Sequence, residues 1–467
     1  MKTRCVALCC ALAVLTAACG SRLSEDELSS AAGSSGGAAV TTDGGSTGAG
    51  IEEGEGGPMI GTLPVPCGEG EQPPGATPAD TEGVSQDTVK IAVISDKAGQ
   101  VKVPTASIEE SAQAFVDWCN GFGGVNGRTL ELTKIDSKLF SHLEATKEAC
   151  NAGVFAIVGS GSVTDNQGAQ EMVDCGLVEV PAYTATAAKA LSDNLVQPLP
   201  NPSDFFNVGP GTFIAEQHPK AIKKAAILGS SIETATVQME RIQKAYESVG
   251  FEWIYVKETG VVQENYATEA SEMKDLGVEY VTMVSATSET VKLLRDMKTQ
   301  SFAPEVIDLG QQYYDPEISA EPASEGALVQ VNTVPFEEAA DSPALEAYLA
   351  AYDAVDASGK PEATSLGVQS FSAGLLFATA LKELGDDITR EGLLEQLKGI
   401  TEWDGGGLHF TSNPGENKVS TCVAYMQVVD GAFVRFYPEE ATTFACDPSN
   451  AFDLEDDFGG GATLKGS

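Results

Sequence analysis

Between Phe115 and Asp136 the chain reads F-V-D-W-C-N-G-F-G-G-V-N-G-R-T-L-E-L-T-K-I-D, and few folds accommodate that stretch. Ile108, Ala112, Phe115 and Val116 recur near helical spacing and predict a helix from about Thr105 to Asn120. Glycines 121, 123, 124 and 127 then offer the positive φ of a tight helix-to-strand connection, and Thr129–Asp136 reads as a strand. Upstream, Val89–Ile94 is a β-branched run of the kind buried in parallel sheets. Strand, helix, glycine turn and strand make a βαβ unit, the building block of layered α/β domains.

The unit repeats. Helix Leu143–Cys150, strand Phe155–Val158 and strand Val178–Val180 extend the first series. A second series runs through strand Ala225–Leu228, helix Thr234–Ser248, strand Phe251–Val256, helix Ala267–Leu276, strand Tyr280–Val284, helix Glu289–Gln300 and strand Val306–Leu309. The predicted class is α/β, with two doubly wound parallel-sheet lobes and a first crossing between them near Asn207–Ala215. Later segments, with long helix Ser365–Glu383 and a hairpin within Cys422–Phe436, add to these lobes rather than building a third.

The stretch N-G-F-G-G-V-N-G-R-T-L-E-L…D resembles the N-x-x-G-G-v-x-G-r-x-l-e-l…D signature of the leucine/isoleucine/valine-binding family, the type I periplasmic solute-binding proteins that serve ABC importers. The likeness extends over about Val89–Phe436, and W-D-G-G-G-L-H-F-T…G-E-N (403–417) is similar to a second family turn. The resemblance implies a three-stranded hinge and discontinuous lobes: 86–210 with 338–415, and 211–337 with 416–450. It implies a small-molecule ligand, an ABC permease as partner, no cofactor and a monomer.

Residues 1–19 carry a basic start (Lys2, Arg4), an apolar core and small residues before Cys19. This resembles a bacterial lipoprotein signal, with Cys19 lipidated and the protein held at the outer face of the cell membrane; plain secretion is the alternative. No later run approaches the ~18 apolar residues of a spanning helix. Residues 20–85, rich in Gly, Ser, Ala and Thr, read as a flexible tether, and 451–467 as a flexible acidic, Gly-rich tail. With 68 acidic and 28 basic side chains the net charge is −40, which excludes nucleic acid as a partner.

Six cysteines lie beyond the signal and Cys19, an even number that favours disulfides in an exported protein. In a doubly wound sheet the first helix lies on one face and the next two on the other. Cys150 and Cys175 end the second and third helices and so can meet. Cys119 on the first helix is left for Cys67, and Cys422 and Cys446 pair locally. No C-x-x-C or His-x-x-x-His spacing supports a metal site.

No catalytic constellation is present: His142, His218 and His409 form no HExxH pattern and there is no G-x-S-x-G elbow. Ligands of open α/β sheets sit at the carboxyl ends of strands. By the resemblance, a ligand carboxylate falls to Thr164, with Ser160 and Ser162 nearby, and to Ala182 and Thr184. Helix capping is the plainer role for Ser162, and Tyr183 is open between cleft and core. In the second lobe the matching loops carry Thr234, Ser285 and Gln311. Gln311 stands where amino-acid binders of the family place an acid, and a neutral amide does not compensate a buried ammonium. The expected function is an extracytoplasmic solute-binding lipoprotein of an ABC importer, not an enzyme; a ligand-sensing receptor module is the alternative.

Overall fold

The computed structural model describes residues 48–54, 56–70, 81–98, 104–456 and 458. The expected signal peptide with Cys19, and parts of the expected tether and tail, lie outside the described residues. The described chain opens on an antiparallel sheet, β1 (Ile51–Gly54), β2 (Gly57–Ile60) and β3 (Leu63–Pro64). This corrects the expectation of a flexible tether, which fails over 51–54, 56–70 and 81–85. Ile60, Val65 and Cys67 are too few to make a period, yet each is buried against the first lobe. The segment is also joined through its backbone, with Thr62 N–H donating to Gly406 O (3.1 Å) and Gly68 N–H to Gly124 O (2.6 Å).

The first lobe is a parallel sheet of β4 (Thr88–Ser95), β5 (Thr129–Asp136), β6 (Ala156–Val158) and β7 (Val178–Val180) in the order β5-β4-β6-β7. Successive residues of a strand face opposite sides. Val89 and Ile91 therefore meet helices Ile108–Gly121 and Ser365–Glu383, where Phe115 and Phe371 pack edge to face, while Ala92 and Ile94 meet helices His142–Asn151 and Asn166–Asp174. At the glycine turn, Gly124 has φ +77, and a Cβ there would lie 2.0 Å from Arg128 O. Gly121 instead ends the helix, and Asn126 (φ 50) supplies another left-handed residue.

Strand β8 (Phe205–Asn207) leads to the second lobe. There β9 (Ala225–Ser230), β10 (Trp253–Thr259), β11 (Tyr280–Val284), β12 (Val306–Leu309) and β13 (Leu328–Gln330) pair in parallel. After the short β14 (Cys422–Val423), the hairpin β15 (Tyr425–Val429) and β16 (Ala432–Tyr437) adds antiparallel to β13, so this sheet is mixed at one edge. Helices Gly209–Gln217 and Glu233–Glu247 pack on one face, and Ala267–Leu276 and Thr287–Thr299 on the other.

Helices Pro343–Ala354 and Ser365–Glu383 return to the core of the first lobe. The chain thus passes between the sheets three times: before β9, after β13 and before β15. Past β17 (Ala445–Cys446), β18 (Ala451–Asp453) pairs antiparallel with β8. That is a second correction, to the tail: its first residues form a strand beside the first crossing. Disulfides join Cys67–Cys119, Cys150–Cys175 and Cys422–Cys446, the pairs that the helix placement favours.

Candidate functional site

A cavity of about 450 Å³ lies where the carboxyl ends of the two sheets face each other. From the first lobe it is lined by Thr105, Leu139, Val163, Tyr183, Thr184 and Ala185; from the second by Thr234, Ser285, Gln311 and Gln312 among others. Of the residues singled out in the sequence, the structure brings Tyr183, Thr184, Thr234, Ser285 and Gln311 to this cavity. Ser160, Ser162, Thr164 and Ala182 are not on its surface.

Those four are bound up in the edge of the first lobe. Ile94 N–H donates to Ser160 Oγ (2.9 Å), Thr164 Oγ1 donates to Leu139 O (2.7 Å), and Ala182 N–H donates to Ser160 O (2.7 Å). The centre of this edge is Asp96, which the sequence reading did not assign. Its carboxylate accepts from the hydroxyls of Ser137 (2.5 Å) and Ser162 (3.0 Å) and from the backbone N–H groups of Leu139 (3.0 Å) and Val163 (2.7 Å). The loops after β5 and β6 are both tied to this one carboxylate at the end of β4, so their small polar residues serve the scaffold.

The turn that carries Tyr183 and Thr184 is held from behind. Asp165 accepts from Ala185 N–H (2.7 Å) and from the Thr186 hydroxyl, and burial pushes its carboxyl up to about 7 despite those bonds. Beyond it, Lys189 and Glu179 form an ion pair in which both side chains are buried, 3% and 2% exposed. His142 is lowered to about 3, first by burial and then by the Lys189 charge. Gly161 lets the Tyr183 ring lie flat, since a Cβ there would sit 2.2 Å from Tyr183 Cε1.

On the second lobe, Ser285 follows β11 and Gln311 follows β12. Tyr313, fully buried, staples the first of these loops: its hydroxyl accepts from Ser285 N–H (2.9 Å) and faces the carbonyls of Met283 and Ser285 (both 3.0 Å). Two polar atoms of this wall, Ser285 Oγ and Gln311 Oε1, are buried without a hydrogen-bond partner. An unmade bond of this kind is costly unless something completes it. Replacing Tyr313 by Phe leaves Ser285 N–H without its acceptor. The expected cost is about 1–3 kcal/mol of stability, read from urea denaturation; an unchanged midpoint excludes the staple.

Neither of the two acids nearest Gln311 in the chain, Asp308 and Asp315, stands free. Asp315 lines the cavity but caps the short helix Pro316–Ser319 through Glu317 N–H (2.8 Å). Asp308 lies behind the wall, accepting from Tyr280 OH (2.7 Å), Gln330 Nε2 (3.1 Å) and Tyr425 OH (3.1 Å), and burial raises its pKa. The cavity also has a part that no sequence signal marked. It runs past the strand ends to Ile242, Phe206, Pro210, Tyr246 and Tyr280. Tyr246 and Tyr280 occupy ordinary core positions, so their spacing does not distinguish a cavity wall from packing. No cluster of metal-ligating side chains occurs among the described residues.

The periplasmic binding protein family model matches residues 88–432. The comparison with curated proteins finds no match. Among solved structures, a fatty acid ABC transporter substrate-binding protein from Thermomonospora curvata is similar at 19% identity and TM-score 0.64, over 83% of this chain and 98% of its own. A leucine-binding protein from Thermotoga maritima is similar at 16% identity and TM-score 0.63, over 78% and 100%. A solute-binding protein from R. palustris in complex with benzoate follows at 13% and TM-score 0.62, over 77% and 98%. With its two α/β lobes facing one cavity and the family model spanning most of its length, the chain belongs to the periplasmic binding protein family.

Proposed function

We propose that the chain is the extracytoplasmic solute-binding subunit of an ABC importer, a monomer anchored through lipid on Cys19. The observation that carries this reading is the cavity, whose walls come from the strand ends of both lobes. The lobes, 86–210 with 338–415 and 211–337 with 416–450, close on a small molecule about the three crossings and present the closed form to a permease. Tyr183 and Thr184 from one side and Thr234, Ser285 and Gln311 from the other contact the ligand. The family and its solved relatives are solute-binding proteins and not enzymes, so the bound molecule leaves unchanged. Proteins of this shape include a leucine-binding protein, a fatty acid transporter component and a benzoate complex, which supports a small organic solute without choosing one.

Native mass spectrometry of the protein equilibrated with a metabolite extract tests the binding step. The expected spectrum shows one small molecule per chain, released with its mass unaltered. A released product of different mass, or no adduct, sinks the reading. Loss of solute uptake on deleting the partner permease separates import from sensing.

A further inference from the structure

Among the described residues, the cavity wall carries one side chain charged at neutral pH, Asp315, and no Lys, Arg or His. Asp315 already serves as a helix cap. Most of the lining carboxamides are committed within the protein. Gln197 Oε1 accepts from Thr184 (3.0 Å), Asn201 Nδ2 donates to Thr184 O (3.2 Å), and Gln330 Nε2 donates to Asp308 (3.1 Å). Among the buried polar atoms of the described wall, Ser285 Oγ and Gln311 Oε1, at the ends of neighbouring strands, have no hydrogen-bond partner. From there the cavity continues under helix Glu233–Glu247 as an apolar arm walled by Ile242, Tyr246, Phe206 and Tyr280. Tyr246 and Tyr280 belong to the core of the second lobe.

A buried charge needs a counter-charge or a dense set of hydrogen bonds. A ligand carboxylate meets no cation among the described lining residues, and it approaches a chain of net charge −40. A zwitterion needs two charged partners and finds one acid at most. An apolar tail, by contrast, finds an arm that removes it from water, and the whole cavity, at about 450 Å³, is within the ~300–1,000 Å³ of ordinary ligand pockets.

We infer that the ligand is an uncharged molecule with an apolar body, its tail in the lobe 2 arm and a neutral hydrogen-bonding head, such as an amide or alcohol, against Gln311 and Ser285. This rests on the solute-binding reading and narrows it to a class.

Four probes of matched size separate the alternatives when titrated calorimetrically into the full-length protein: octanamide, octanoate, octylammonium and leucine. Octanamide is expected to bind at least about tenfold tighter than each of the others, because only it avoids burying an uncompensated charge. Gln311→Ala is expected to weaken octanamide about tenfold, the loss of one hydrogen bond to a buried head group. Ile242→Trp, which fills the arm, is expected to abolish octanamide binding while the thermal midpoint and circular dichroism stay those of the parent. Equal or tighter binding of octanoate, octylammonium or leucine overturns the neutral class and leaves solute binding intact. Undiminished octanamide binding by Ile242→Trp overturns the placement of the tail. If all four probes are silent while an extract still yields an adduct, the class is wrong and the binder reading stands; if neither binds, both fall.

Discussion

Lys189→Met is expected to cost about 3–5 kcal/mol of folding stability, because it leaves Glu179 as a buried, uncompensated carboxylate. Glu179 sits on β7 and Lys189 one turn beyond the loop of Tyr183 and Thr184, and both side chains are out of water. The neighbouring groups do not offer a substitute cation. His142 is held neutral by burial, and Asp165 carries the wrong sign. The double variant Glu179→Gln/Lys189→Met removes both charges and is expected to recover most of the loss. Urea denaturation of the parent, Lys189→Met, Glu179→Gln and the double variant gives the coupling directly. A single variant within about 1 kcal/mol of the parent means that the pair is wetter than its exposure indicates.

The second large effect concerns Cys67–Cys119, which closes a loop of 52 residues between the N-terminal sheet and the first helix. By loop-closure entropy, replacing both cysteines with serine is expected to remove about 4 kcal/mol. Local loosening should exceed the global loss. Ile60 and Val65 pack on the first lobe, but β1, β2 and β3 share no strand pairing with its sheet. Hydrogen exchange is expected to show the amides of 51–65 losing protection at denaturant concentrations where β4 keeps it. If 51–65 and β4 lose protection together, the N-terminal sheet is part of the first lobe's cooperative unit without the bridge.

The alternation of strands and helices was legible because each element declared its period. Tyr280–Val284 and Val306–Leu309 were readable to the residue, since short apolar runs between polar helices admit little else. The N-terminal sheet was not readable. Its buried residues Ile60, Val65 and Cys67 fill separate places on another body, so nothing repeats along the chain. Only the pairing demanded by Cys67 hinted that the segment is ordered. At the cavity, Ser285 and Gln311 could be placed because a strand end fixes where the next residues point. Ser160, Ser162 and Thr164 occupy equivalent positions, but Ile94, Asp96 and Leu139, distant in sequence, draw them into the scaffold. The same small polar residues suit a ligand or a neighbouring loop, and the choice is made by tertiary contacts. The arm beneath helix Glu233–Glu247 was invisible for the opposite reason: its walls look like core.

The pairing of β18 with β8 joins the far end of the chain to the first crossing between the lobes. A bend at Phe205–Asn207 must either carry Ala451–Asp453 along or break the ladder between them. A fluorophore attached just beyond Asp453 would therefore ride on the crossing itself and report opening and closing as a change in its surroundings. A bulky fusion at that end would act as a brake on the same movement.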